Sequence, residues 1–157
     1  MKEIYKNLWV GSENDVPKAK ERGYAIVTAA KDGAVSHRQL LGYTSMGAPK
    51  GPEYLVARRP KHLYLNLIDG DEPSYVPDAV IDAALSFITE KLDKGESVLV
   101  HCVEGLSRSP SIALMWLVKN GKLARDGAVR KFKQLYPDYD PAPGIKIYTK
   151  QRVAARR

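Results

Sequence analysis

The chain has 157 residues, of which 44% are hydrophobic and 27% are charged, and its formal net charge is +7. These values are typical of one globular domain spanning residues 1–157, and they exclude a disordered chain, a collagen and a disulfide scaffold. No apolar run approaches the roughly 18 residues of a membrane span and the first residues lack the apolar core of a signal peptide, so we expect a cytoplasmic protein without a membrane segment.

The first part of the chain predicts strands and a short helix in alternation. The apolar run Leu8–Val10 predicts an edge strand. Ser12 and Asp15 have the spacing of a capping box, which predicts a helix that continues to about Arg22. The β-rich run Tyr24–Ala29 predicts the next strand.

Residues 31–60 interrupt this alternation. They include seven glycines and prolines and predict an irregular insertion, with short helices at Ser36–Leu41 and Pro52–Ala57. The insertion is either a surface loop or a wall of a substrate cleft. Its cations favour the second interpretation, in which Lys31 and His37 bind the negative charge of a substrate.

The second half of the chain alternates more regularly. Apolar residues at 63, 65 and 67 predict a strand, and Pro77 begins a predicted helix. The run Val98–His101 is typical of a strand buried on both faces, and the stretches Pro110–Val118 and Val129–Tyr136 predict two further helices. This order predicts an α/β fold with a central, mostly parallel sheet of about four to five strands and helices on both faces.

The positive charge is concentrated at the end of the chain. Residues 144–157 carry five basic side chains and no acidic one, so they account for most of the net charge. This segment is either a solvated basic end or a contact for an anionic partner. The sequence has no zinc-finger spacing, RNA-binding signature or interleaved basic and aromatic run, and nucleic acid is therefore not the favoured partner.

The only cysteine, Cys102, follows a buried strand and precedes a buried helix. A single cysteine is either an inert buried thiol or a reactive one. Here the helix N-terminus supplies free N–H groups, Gly105 permits a tight turn, and Arg108 adds a planar cation suited to two phosphate oxygens. Because these groups favour a thiolate, the segment predicts a nucleophile in the floor of a phosphate-binding loop. The loop residues are Val103, Glu104, Gly105, Leu106, Ser107 and Arg108.

The nine residues from His101 to Ser109 match the HC-x5-R-[ST] signature of cysteine-dependent protein tyrosine phosphatases. The form HCxxGxSRSP resembles the dual-specificity branch of that superfamily. Residues Ile4–Ser12 also resemble the opening strand of this branch, whereas the insertion resembles only a subset of small bacterial and phage relatives. The resemblance implies a protein tyrosine phosphatase-like fold.

The resemblance also implies a reaction in which Cys102 attacks a phosphate monoester and forms a phosphocysteine intermediate. Arg108 and the loop would hold the phosphate oxygens, and Ser109 would stabilise the departing thiolate. The implied substrate is a phosphorylated protein, and the phosphorylated residue is either phosphotyrosine alone or also phosphoserine and phosphothreonine, depending on the depth of the pocket. No metal or other cofactor is implied, and we expect a monomer. His101, at the strand end, should point away from the loop and orient it.

An aspartate is expected to protonate the leaving oxygen. Asp69 and Asp71 both follow the strand at 63–67, whose end should meet the signature loop. The apolar alternation of the strand favours Asp69, whereas a count back from the next helix without gaps, as in the resembled family, favours Asp71. We predict Asp69 as the general acid, with Asp71 second.

Two other functions use a similar loop. A catalytically weak module would bind phosphoproteins without turnover, and a sulfur-transfer or arsenate-reducing enzyme would use the same thiolate. Arsenate reduction requires resolving cysteines, which the chain lacks. Phosphoinositide phosphatases of the superfamily usually carry lysines inside the signature loop, whereas Val103, Glu104 and Leu106 are not basic, so the resemblance does not favour phosphoinositide substrates.

Overall fold

A computed structural model describes residues 1–155 of the chain. The strands are β1 Lys2–Tyr5, β2 Leu8–Gly11, β3 Ala25–Thr28, β4 Val56–Arg59, β5 His62–Leu65 and β6 Val98–His101. They form one sheet in the order β1-β2-β6-β3-β5-β4. The four inner strands run parallel, and β1 and β4 pair antiparallel at the two edges.

Helices cover both faces of this sheet. The helices are α1 Val16–Glu21, α2 His37–Leu41, α3 Asp78–Asp93, α4 Arg108–Lys119, α5 Ala128–Leu135 and α6 Pro143–Ala154, with short 3-10 helices at Glu13–Asp15 and Pro73–Tyr75. On one face α1 packs against Ile26 and Leu99. The neighbouring residues Val27, Val98 and Val100 point to the other face, where they join the larger core with α3, α4, α5 and α6. This alternation along the inner strands builds two cores from one sheet.

The sheet has six strands. Four of them are strands that the sequence predicts, and the two at the edges are additional. Strand β1 is mostly exposed and therefore shows no apolar pattern. Because β1 pairs with β2, the strand at Leu8–Gly11 is an inner strand, and its prediction as an edge strand is wrong. A helix at Pro52–Ala57 is also wrong, since Val56–Arg59 forms the edge strand β4.

Several local predictions are confirmed. The Ser12 hydroxyl accepts a hydrogen bond from Asn14 N–H, and the Asp15 carboxylate accepts one from Ser12 N–H at 2.9 Å, which completes the capping box. Ser36 caps α2 in the insertion. The alternating leucines at 63, 65 and 67 are fully buried.

The basic end of the chain forms α6 up to Ala154, while Arg156 and Arg157 lie outside the described residues. Arg152 in this helix is paired with Asp82 and donates to the Tyr148 hydroxyl at 2.8 Å, so its charge is used inside the fold. Among the described helices, none has the length and apolar character needed to cross a membrane.

Candidate active site

The parallel strands β6 and β5 end at the same edge of the sheet, and the chain segments that leave them enclose a cavity of about 480 Å³. Cys102 directly follows β6, and Asp69 follows β5 after a short extended stretch. The remaining wall comes from the segment between α5 and α6. The lining residues are Asp69, Cys102, Val103, Glu104, Leu106, Ser107, Arg108, Asp140, Pro141 and Ala142.

The loop from Cys102 to Ser107 makes a turn that requires glycine at its centre. Gly105 has φ +80°, and a Cβ atom there would lie 3.0 Å from the backbone of Gly11. A larger residue would be strained by its φ angle and by this close approach. The role of Gly105 in the turn is therefore confirmed.

The carbonyl groups of the loop are held by surrounding segments. Glu13 N–H donates to the Val103 carbonyl oxygen at 3.2 Å, and Asp140 N–H donates to that of Leu106 at 2.8 Å. The Tyr136 hydroxyl donates to the Gly105 carbonyl oxygen at 2.8 Å. Burial raises the pKa of Tyr136 to about 12, so its hydroxyl stays protonated as a donor. In a trans peptide, a carbonyl group and the N–H group of the following residue point in opposite directions. The N–H groups of Glu104, Leu106 and Ser107 thus point away from these partners, and all three residues line the cavity.

Cys102 and Ser109 lie in contact at the floor of the cavity. The cysteine is 2% exposed, and its Sγ is 3.2 Å from the Ser109 Oγ. The Ser109 hydroxyl also donates to the Gly11 carbonyl oxygen at 3.1 Å. Because a hydroxyl has one proton, it donates either to Gly11 or to the sulfur, and a thiolate would attract it.

Arg108 begins α4, and its side chain reaches the segment that follows β5. Its Nη1 donates to the Leu67 carbonyl oxygen at 2.9 Å, which fixes one end of the guanidinium. Its Nε is buried and has no hydrogen-bond partner within residues 1–155. A buried donor without a partner is unfavourable, and an oxyanion in the cavity would satisfy it.

Asp69 also lines the cavity. Its Oδ1 accepts a hydrogen bond from the Ser107 hydroxyl at 2.7 Å, and the Ser107 oxygen in turn accepts from Ala142 N–H at 2.8 Å. Asp71 does not line the cavity. The structure therefore brings Asp69, and not Asp71, together with the cysteine and the arginine.

A buried chain of hydrogen bonds connects the start of the loop to side chains of β3 and β5. His101 Nδ1 contacts the Cys102 carbonyl oxygen at 3.0 Å, so this nitrogen carries a proton and Nε2 is an acceptor. The Thr28 hydroxyl then donates to His101 Nε2 at 2.7 Å and accepts from His62 Nε2 at 2.6 Å. Burial lowers the pKa of His101 to about 4 and that of His62 to about 3, which keeps both rings neutral. The expectation that His101 orients the loop agrees with these contacts.

The two substrate-binding candidates in the insertion do not line the cavity. The Lys31 ammonium donates to the Met46 carbonyl oxygen at 2.6 Å. His37 is fully buried, with Nδ1 2.9 Å from the Tyr43 hydroxyl and Nε2 2.7 Å from the Glu53 carbonyl oxygen. Burial lowers the pKa of His37. Both side chains therefore hold the insertion together, which corrects the expectation that they face a substrate.

The insertion approaches the loop elsewhere. A Cβ atom at Gly33 would lie 3.1 Å from a methyl group of Val103, and Ala34 N–H donates to the Glu13 carboxylate at 2.9 Å. The wall at Asp140–Ala142 and the partners Thr28 and His62 were not predicted from the sequence. Prolines at 137, 141 and 143 mark an irregular segment between two helices, which was the available signal for the wall.

Comparisons with known proteins agree with this geometry. A family model described as dual specificity phosphatase, catalytic domain, matches residues 50–146. Dual specificity protein phosphatase 1B of Arabidopsis thaliana is 26% identical over 92% of this chain and 77% of its own length. Dual specificity protein phosphatase YVH1 of Plasmodium falciparum is 32% identical over 52% of this chain, a match that spans 14% of that relative. The crystal structure of DUSP15 has the same fold, with a TM-score of 0.70 at 17% identity over 99% of this chain and 88% of that one.

Proposed function

Since the chain belongs to the family of dual specificity phosphatase catalytic domains, we propose that it hydrolyses phosphotyrosine, and phosphoserine or phosphothreonine in addition, in protein substrates through a phosphocysteine intermediate. One observation carries the proposal. The buried Cys102 lines the same cavity as Arg108, whose Nε has no partner within residues 1–155. This arrangement suits an oxyanion with a nucleophile directly behind it.

In the first step the Cys102 thiolate attacks the phosphorus atom and the bond to the leaving oxygen breaks. Arg108 and the loop N–H groups hold the non-bridging oxygens while charge develops on them. Asp69 gives its proton to the leaving oxygen, which departs as the protein hydroxyl. The free Nε of Arg108 is the donor that the phosphate would engage.

In the second step a water molecule attacks the phosphorus atom of the phosphocysteine. Asp69, now a carboxylate, takes a proton from this water, and the sulfur–phosphorus bond breaks. The Ser109 hydroxyl turns from the Gly11 carbonyl oxygen to donate to the departing thiolate. These side chains and water complete the atom and proton balance, so we propose a reaction without a metal or organic cofactor.

The test compares substitutions of the nucleophile and the cation. Cys102→Ser removes the nucleophile and keeps the cradle, so turnover of p-nitrophenyl phosphate in chelator should vanish while a phosphopeptide still binds. Arg108→Lys replaces a planar fork by a point charge, so both binding and rate should fall, the rate by on the order of 10²–10³-fold.

Wild-type activity in either variant would contradict the proposal. A wild-type protein that binds the phosphopeptide without turning over any phosphate ester would instead be a phosphate-binding module. Release of thiocyanate from thiosulfate and cyanide would identify a sulfur-transfer enzyme.

A further inference from the structure

A second cavity of about 320 Å³ lies beside the catalytic one, between α5 and α6. The two cavities share Asp140 and Pro141, which therefore form the wall between them. Buried Tyr139 and Thr149 also line this second cavity, which we call the lysine groove. Its residues are Val129, Lys133, Tyr139, Asp140, Pro141, Lys146, Thr149 and Lys150.

The lysine groove is strongly cationic. It holds three lysines and one aspartate, 3 − 1 = +2. Lys146 and Lys150 are one helical turn apart on α6, a like-charge spacing that lowers helix stability. The Lys133 ammonium donates to the Tyr139 carbonyl oxygen at 2.9 Å, which holds it beside the shared wall. Within residues 1–155, none of the three ammonium groups lies within 4.0 Å of a carboxylate.

The catalytic cavity has the opposite charge. Its lining includes three acidic residues, Asp69, Glu104 and Asp140, and a single cation, Arg108. A phosphate ester that approaches this cavity carries negative charge of its own. With Asp69 protonated as the proposed acid, the exposed carboxylates of Glu104 and Asp140 still repel this charge. Such repulsion acts over about 8 Å at physiological salt, and so does the attraction of cations next to the cavity.

We propose that the lysine groove binds an anionic side chain of the substrate, a carboxylate or a second phosphate, that flanks the phosphorylated residue. The phosphorylated residue occupies the catalytic cavity, and its neighbour in the peptide crosses the wall at Asp140–Pro141 into the groove. This inference rests on the proposed function and adds to it a preference for acidic or multiply phosphorylated segments.

The experiment measures peptide binding in the Cys102→Ser background, where no turnover disturbs the equilibrium. Three phosphotyrosine peptides differ only in flanking residues on both sides, which are alanine, glutamate or phosphoserine. We expect the glutamate or phosphoserine peptide to bind about fivefold more tightly than the alanine peptide at low salt, with the difference lost at high salt. Comparison of these two anionic peptides identifies which group the groove prefers.

The variant Lys146→Gln/Lys150→Gln should remove this preference, so that the three dissociation constants converge. Lys18→Gln/Lys20→Gln on α1 removes the same charge far from either cavity and should keep the preference. Equal binding of all three peptides, or an undiminished preference in Lys146→Gln/Lys150→Gln, overturns the inference. Wild-type turnover of p-nitrophenyl phosphate is measured separately, and its absence contradicts the proposed function without altering the binding result.

Discussion

The Ser107 hydroxyl shows how one small side chain can arrange two walls of a cavity. It donates to Asp69 Oδ1 and accepts from Ala142 N–H, so both of its hydrogen-bonding directions are used. With Oδ1 held in this way, the other carboxylate oxygen of Asp69 is the one left for a leaving group. The carboxylate itself stays exposed, as an acid that must exchange protons with water requires.

We predict that Asp69→Asn lowers the rate on a poor leaving group by on the order of 10²–10⁴-fold, because the amide cannot protonate the leaving oxygen. The variant should also lose the fall in rate at alkaline pH that marks deprotonation of the acid. Asp71→Asn is the matched control and should keep both the rate and the alkaline limb. The pH dependence of kcat/KM for each variant decides between them, and the reverse pattern would assign the acid to Asp71.

At the scale of single residues, the sequence was informative where only one residue type can serve at a position of the loop. Cys102 and Arg108 could be predicted as a nucleophile and a phosphate-binding cation because a lone cysteine, a glycine and an arginine at these spacings fit one kind of loop. For the neighbouring aspartates the strand pattern favoured Asp69 and the ungapped spacing favoured Asp71, because their loop has no regular period that fixes which one faces the cysteine. His37 was misassigned since a charged segment gives no sign of which side chains turn inward to the Glu53 carbonyl oxygen.

At the scale of elements, α6 and the loop that carries Asp69 are joined by their backbones. Gly144 N–H donates to the Gly70 carbonyl oxygen at 3.0 Å. A Cβ atom at Gly144 would lie 2.6 Å from the Glu72 carbonyl oxygen and 2.7 Å from that of Gly70. Only glycine lets the first turn of α6 approach the loop so closely, and this contact anchors Gly70, the residue that follows Asp69.

We therefore predict that Gly144→Ala displaces the acid while the nucleophile stays in place. Hydrolysis of phosphotyrosine, a poor leaving group, should fall by on the order of 10²-fold. A phosphate ester with a strongly acidic leaving group needs little proton transfer and should lose much less. Gly47→Ala, where a Cβ atom meets nothing within 4 Å, should leave both rates unchanged. An equal loss on both substrates would indicate a general loss of structure instead.

The edge strands explain what the sequence could not show about the elements. The buried strands of the sheet produce apolar runs, and each was predicted. By contrast, β1 has three exposed residues out of four, and β4 ends in two exposed arginines, so neither has an apolar period. Each edge strand is joined to its partner, β2 or β5, by a two-residue hairpin turn, and backbone pairing in these hairpins rather than an apolar period creates the strand.

Considered as a whole, the molecule buries all three of its histidines at least nine-tenths. Burial holds the pKa of His62 at about 3 and that of His101 at about 4, below the ordinary value of 6.5, and it also lowers the pKa of His37. In the unfolded chain these rings bind protons near pH 6.5, whereas in the folded protein they do so only in stronger acid. The unfolded state therefore binds more protons between these values, and stability falls as the pH decreases from about 6.5 towards 4.

We predict that the midpoint of urea unfolding is highest above pH 6.5 and declines between pH 6.5 and 4. The decline reflects on the order of a few kcal/mol for each of His62 and His101. His62→Gln removes one titrating group, so this variant should be less stable than wild type at pH 7.5 and should lose stability less steeply in acid. Parallel pH profiles for the two proteins would show that His62 does not contribute to the decline.

The position of β2 beside β6 has a consequence for how the protein folds. Leu8 pairs with Val98, and the Ser109 hydroxyl reaches the Gly11 carbonyl oxygen across 98 residues of chain. Closing so long a loop is entropically unfavourable until most of the intervening chain has condensed. The thiol beneath the loop therefore acquires its surroundings only when the first and last thirds of the chain have met. During refolding, helical signal should return first, and catalytic competence should mark the completion of the sheet.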